Sequence, residues 1–119
     1  MMPKLAEFAV DLGHLDRYTG GDRAVNQEVL LLFENQCQEM LVRLEELVGG
    51  TADSKDWRQV THTLKGAARG IGAFDLANEA AQAETTGPEN HRAAIEVLQR
   101  MKAKSEAVYG FIENFLRKE

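Results

Sequence analysis

The stretch THTLKGAARGIGA, Thr61 to Ala73, places one histidine among several cations and glycines. An imidazole can act at neutral pH as a nucleophile or as a proton carrier. His62 has Lys65 three residues after it, Arg69 seven after it and Arg58 four before it. Gly66 stands at the fourth position after the histidine. No acid occupies any of these spacings. That arrangement suits a histidine that takes on negative charge, and a phosphoryl group brings roughly −1.5 to −2. One cation ~6 Å away then gains about 1 to 3 kcal/mol per unit charge, with exposure and salt favouring the low end.

The chemistry depends on where the helix points. Around a helical wheel with His62 at zero, Val60, Leu64, Ala67 and Ile71 fall at roughly 140° to 200°, and Trp57 and Ala68 at roughly 220° to 240°. These residues form the expected core stripe. Arg58, Lys65 and Arg69 flank His62 on one side, and Gly66 and Gln59 on the other. Glycine within a helix costs about 1 kcal/mol relative to alanine, so Gly66 needs a reason. Two are open: it keeps the imidazole accessible, or, with Gly70, it lets another helix approach closely.

The surrounding elements are read from apolar periodicity and turn residues. A short helix is expected over about residues 4 to 12, leaving His14 near its end. YTGGDRAV follows as a turn, with Asp22 as N-cap. A second helix is expected from about Arg23 to Val48, with Val29, Leu30, Phe33, Cys37, Met40, Leu41, Leu44, Leu47 and Val48 inward. Gly49 and Gly50 close it, and Asp53 or Ser54 caps a third helix ending at Gly70 or Ile71. A fourth covers about Phe74 to Thr85. Pro88 fits the first turn of a last helix running to about Arg117, which also carries His91. Its inward residues are Ile95, Leu98, Met101, Val108, Phe111 or Ile112, and Phe115. Strand alternation is nearly absent. The expected fold is all-α, an antiparallel up-down four-helix bundle with a short additional N-terminal helix, forming one domain over residues 1–119.

Composition narrows the function. The 119 residues carry a net charge of −5, a poor match to nucleic acid or an anionic membrane surface. Yet Lys55 to Arg69 carries four cations against Asp56, so the basic cluster opposes the global sign. The start shows no signal-peptide pattern and no apolar run reaches membrane-spanning length, so a cytoplasmic location is expected. One cysteine excludes an internal disulfide, and no Glu-x-x-His pair suggests a metal centre. No nucleotide-binding loop is present.

HTLKGAARGIGA resembles the signature of histidine-containing phosphotransfer (HPt) domains, His-x-Leu-Lys-Gly followed by small residues and Gly-Ala. The matching positions are His62, Leu64, Lys65, Gly66, Gly72 and Ala73. Upstream, GGDRAVNQEVLLLFENQCQEMLVRLEELV is similar to the family's Gly-Gly-Asp turn and following helix. Alanines stand at 67 and 68 where many members carry serine. The resemblance implies that His62 accepts a phosphoryl group, most naturally on Nε2, from a receiver-domain aspartate and passes it to another. Lys65 would hold the phosphate, Gly66 would keep the ring accessible, and Arg58, Gln59 and Arg69 would meet the partner.

Response-regulator receivers and a hybrid histidine kinase are the implied partners, with Mg²⁺ on the receiver, no cofactor on this chain, and a monomeric carrier with no ATP site rather than an enzyme. The alternative is an adaptor of the same shape that is not phosphorylated. Gln36, Gln38 or Glu39 on the second helix is expected to hydrogen-bond the other ring nitrogen. Cys37 and Trp57 are assigned to the core, and His14 and His91 to no function.

Overall fold

Aspartate, asparagine and glycine set the helix boundaries. The structure, a computed structural model, describes residues 8–50 and 53–118. It has five helices: α1 (Leu12–Thr19), α2 (Arg23–Gly49), α3 (Ser54–Gly70), α4 (Phe74–Thr86) and α5 (His91–Arg117). No strand occurs among the described residues. Asp11, Asp22, Asp53 and Asn90 each cap a helix by accepting a first-turn backbone N–H. Asp53, rather than Ser54, caps α3.

The first helix differs from the expectation. Residues 4–7 of the expected helix lie outside the described residues, and Phe8 to Asp11 are not α-helical. The helix begins at Leu12 instead, because Asp11 is extended and caps it while its own N–H donates to the Gly72 carbonyl (2.9 Å). His14 therefore sits in the first turn of α1, edge-on to Tyr18 and Phe74. Pro88 also stands outside a helix: it precedes the Asn90 cap of α5 and is buried in the connection. Ile95 is partly exposed rather than core.

Helices α2 to α5 pack in a closed ring, each touching the next and α5 touching α2. Contacts between α2 and α5 run in opposite chain order: Arg23 with Phe115, Cys37 with Ser105, Glu45 with Lys102. These two helices are therefore antiparallel. The core holds Leu30, Phe33, Cys37, Leu44, Trp57, Leu64, Leu76, Met101, Val108 and Ile112. Trp57 anchors α3 to α4, its indole N–H donating to the Ala83 carbonyl (2.7 Å). Among the described residues no helix is long and apolar enough to cross a membrane.

Gly72 makes the turn that aligns α3 with α4. The Ala73 N–H bonds the Ala68 carbonyl and the Gly72 N–H bonds the Arg69 carbonyl, the paired bonds of a Schellman cap. Gly72 has φ +84°, and a Cβ there would meet the Asp11 carbonyl oxygen at 2.5 Å. Both backbone conformation and close approach therefore select glycine.

Candidate functional site

The buried face of α3 decides where His62 points. Trp57, Thr61, Leu64, Ala68 and Ile71 are buried, while Val60 and Ala67 are only half-buried. The core direction is thus turned toward Thr61, away from Val60. Thr61 can be buried because its hydroxyl donates to the Trp57 carbonyl (2.9 Å). His62 lies away from that face, its side chain 67% exposed.

Glu84 of α4 reaches across to the site. Its Oε2 lies 3.0 Å from His62 Nδ1, and its Oε1 accepts from Lys65 Nζ at 2.6 Å. One carboxylate therefore holds both His62 and Lys65 of the sequence motif. The Lys65 hydrogen bond, reinforced by that from His62, draws the Glu84 carboxyl below its ordinary pKa against the opposing effect of partial burial. Glu84 is accordingly ionised at neutral pH and can only accept. A hydrogen bond to it therefore requires the proton on Nδ1, and in the neutral ring that leaves the Nε2 lone pair free. Nε2 lies on the opposite edge of the ring and has no hydrogen-bond partner among the described residues.

The partner helix differs from the expectation. Gln36, Gln38 and Glu39 of α2 are exposed and none bonds His62; the carboxylate comes from α4. The physical reason is the tight α3–α4 turn at Gly72. It brings α4 back along α3, so that Glu84 stands opposite His62. A residue only slightly farther beyond the glycine turn than His62 lies before it was the available signal. Thr61 was missed for a different reason, since a threonine does not mark a core position by type.

Gly66 faces open space: a Cβ built there meets nothing within 4 Å, and the same holds at Gly70. Among the described residues no neighbouring helix requires either glycine, which removes close packing of those helices as their reason. A methyl group at 66 would not touch the His62 ring as it stands, so crowding by a side chain begins only beyond Cβ. Arg58, Gln59 and Arg69 are all exposed on the same surface. The Arg58 charge helps to hold the Glu89 carboxyl below its usual range, after a hydrogen bond from the Ser54 hydroxyl as the largest cause. His14 and His91 lie on α1 and at the start of α5, without a lysine or glutamate partner among the described residues.

The Hpt domain family model matches residues 28–108, more than half of the chain. The chain belongs to the Hpt domain family. No curated protein and no solved structure gave a significant match. The matched span contains His62, Lys65, Gly66 and Glu84, and it runs from α2 into α5. Hpt domains are phosphotransfer modules of two-component signalling and interact with receiver domains and kinases in phosphorelays. The exposed His62 ring, with its Nδ1 3.0 Å from Glu84, lies within the matched span.

Proposed function

We propose that this Hpt domain is a covalent phosphoryl carrier whose acceptor atom is Nε2 of His62. The Nε2 lone pair attacks the phosphorus of an aspartyl phosphate on a receiver domain. The N–P bond forms as the acyl P–O bond breaks, and the aspartate leaves as a carboxylate. The reverse exchange delivers the group to the aspartate of another response regulator. Both compounds are high-energy species, so flow in either direction is chemically reasonable. The observation that carries this reading is the 3.0 Å contact between Nδ1 and Glu84 beneath an exposed ring.

Each neighbour has a task. Glu84 keeps the proton on Nδ1 and, when the ring is phosphorylated, compensates the positive charge that the imidazole gains. Lys65 shares its charge between Glu84 and the incoming phosphoryl oxygens. Gly66 leaves room for the receiver to place its phosphoaspartate in line with Nε2. The chain works as a carrier and not as an autonomous enzyme. Mg²⁺ belongs to the receiver, and the proposed setting is a cytoplasmic monomer meeting receivers and a hybrid kinase.

Incubation with a phosphorylated receiver tests the proposal. Label on this chain should be acid-labile and alkali-stable. The His62→Gln variant should take up none, whereas His14→Gln and His91→Gln should label normally. Label persisting in the His62→Gln variant would assign the chemistry to another residue.

A further inference from the structure

Phosphorylation creates a charge imbalance that Lys65 alone does not meet. Lys65 is already bound to Glu84 at 2.6 Å. A phosphoryl group on Nε2 adds roughly −1.5 to −2 beside that carboxylate. With the imidazolium charge set against Glu84, the phosphoryl group still leaves the site about one unit negative, and Lys65 is shared between the two anions. Three other cations share this surface, Lys55, Arg58 and Arg69. All are exposed, and none forms an ion pair among the described residues.

Helix polarity separates them. Cα–Cβ bonds tilt toward the N-terminus of a helix, so a long side chain covers the turn before its own Cα. Arg69 is C-terminal to His62 and leans back toward it. The two are seven residues apart, about 10 Å along the axis and roughly 20° apart around it. Lys55 and Arg58 are N-terminal to His62 and lean away. Arg58 also lies near enough to Glu89 to stabilise that carboxylate. The turn between Arg69 and His62 carries Gly66, above which nothing lies within 4 Å of a Cβ position. Lys65, the other residue of that turn, is drawn aside to α4 by Glu84.

We infer that Arg69 is a second phosphoryl-binding residue, folding back across the gap at Gly66 to meet the phosphoryl oxygens on His62. The inference rests on the phosphotransfer reading and adds a mobile cation to it. Gly66 then has a purpose within the chain itself: it clears the path of the arginine. In the unphosphorylated protein Arg69 stays in solvent. In the phosphorylated protein it would supply the charge that Glu84 withholds through Lys65.

The test needs no partner protein. Phosphoramidate transfers its phosphoryl group to imidazole with loss of ammonia, and ³¹P NMR then follows the phosphohistidine signal as a function of pH. A nearby cation favours the dianion and lowers the phosphoryl pKa. Arg69→Gln should raise it by roughly 0.2 to 0.7 pH units, the span expected for an exposed ion pair. Arg69→Lys should recover most of the shift, and Arg58→Gln should leave the wild-type titration unchanged. Equal titrations in wild type and Arg69→Gln overturn the inference, as does an equal shift in Arg58→Gln. Absence of phosphohistidine at His62 in the wild type would instead take down the phosphotransfer reading, and this inference with it.

Discussion

At the scale of single residues, the carboxylate of Glu84 governs what the ring of His62 can do. Replacing it with alanine removes the acceptor that fixes the proton on Nδ1. In the Glu84→Ala variant, ¹⁵N NMR should show the neutral ring losing its Nδ1–H preference. Transfer from a receiver should slow roughly ten- to a hundredfold, the scale found when a group orienting a metal-bound histidine is removed. The pH dependence has a definite sign. The folded-state pKa of Glu84 is lowered, chiefly by Lys65. Its contacts are therefore complete above the ordinary glutamate pKa of about 4.3 and fail only as the pH falls through the lowered value. A ¹³C titration of the Glu84 carboxyl should show a midpoint below the ordinary one, moving up in Lys65→Met.

At the scale of the helix and its turn, two glycines six residues apart should respond oppositely to the same change. Gly66→Ala adds a methyl to an exposed helix position where nothing is in the way. It should stabilise the fold by about 0.5 to 1 kcal/mol. Gly72→Ala forces a side chain into left-handed backbone and against Asp11. It should cost about 1 to 2 kcal/mol from backbone conformation, with the steric contact adding to that. Urea midpoints measure both. The limits of α2, α3 and α4 were legible because aspartates and glycines mark them in the chain. The start of α1 was not, since Leu5, Phe8, Ala9 and Val10 imitate a helical stripe and Asp11 is fixed by a distant partner, Gly72. His62, Lys65 and Gly66 were legible from type and spacing. Glu84 was not, because its place depends on how closely α4 folds back on α3.

At the scale of the whole molecule, the folded protein is less positive around His62 than its sequence suggests. Glu84 is bound to Lys65, and Glu89 lies within the influence of Arg58, so a local excess counted along one helix is partly cancelled from the α4 side. His62 also contributes little to holding the bundle together, given its exposure. Trp57, the single tryptophan, is buried between α3 and α4 and reports on the core. Urea unfolding followed by its fluorescence should coincide with the loss of helical circular dichroism. The midpoint should be nearly the same in His62→Gln, so that absent label in that variant reads as lost chemistry. A second buried reporter sits across the core. Cys37 is fully enclosed between α2 and α5, beside Ser105, and burial pushes its thiol pKa up. A thiolate there is scarce and unreachable while the helices stay together. The rate at which an alkylating reagent consumes this sulfur thus becomes a clock for opening of the bundle, and a fluorophore can be placed on an added surface cysteine without removing the native one.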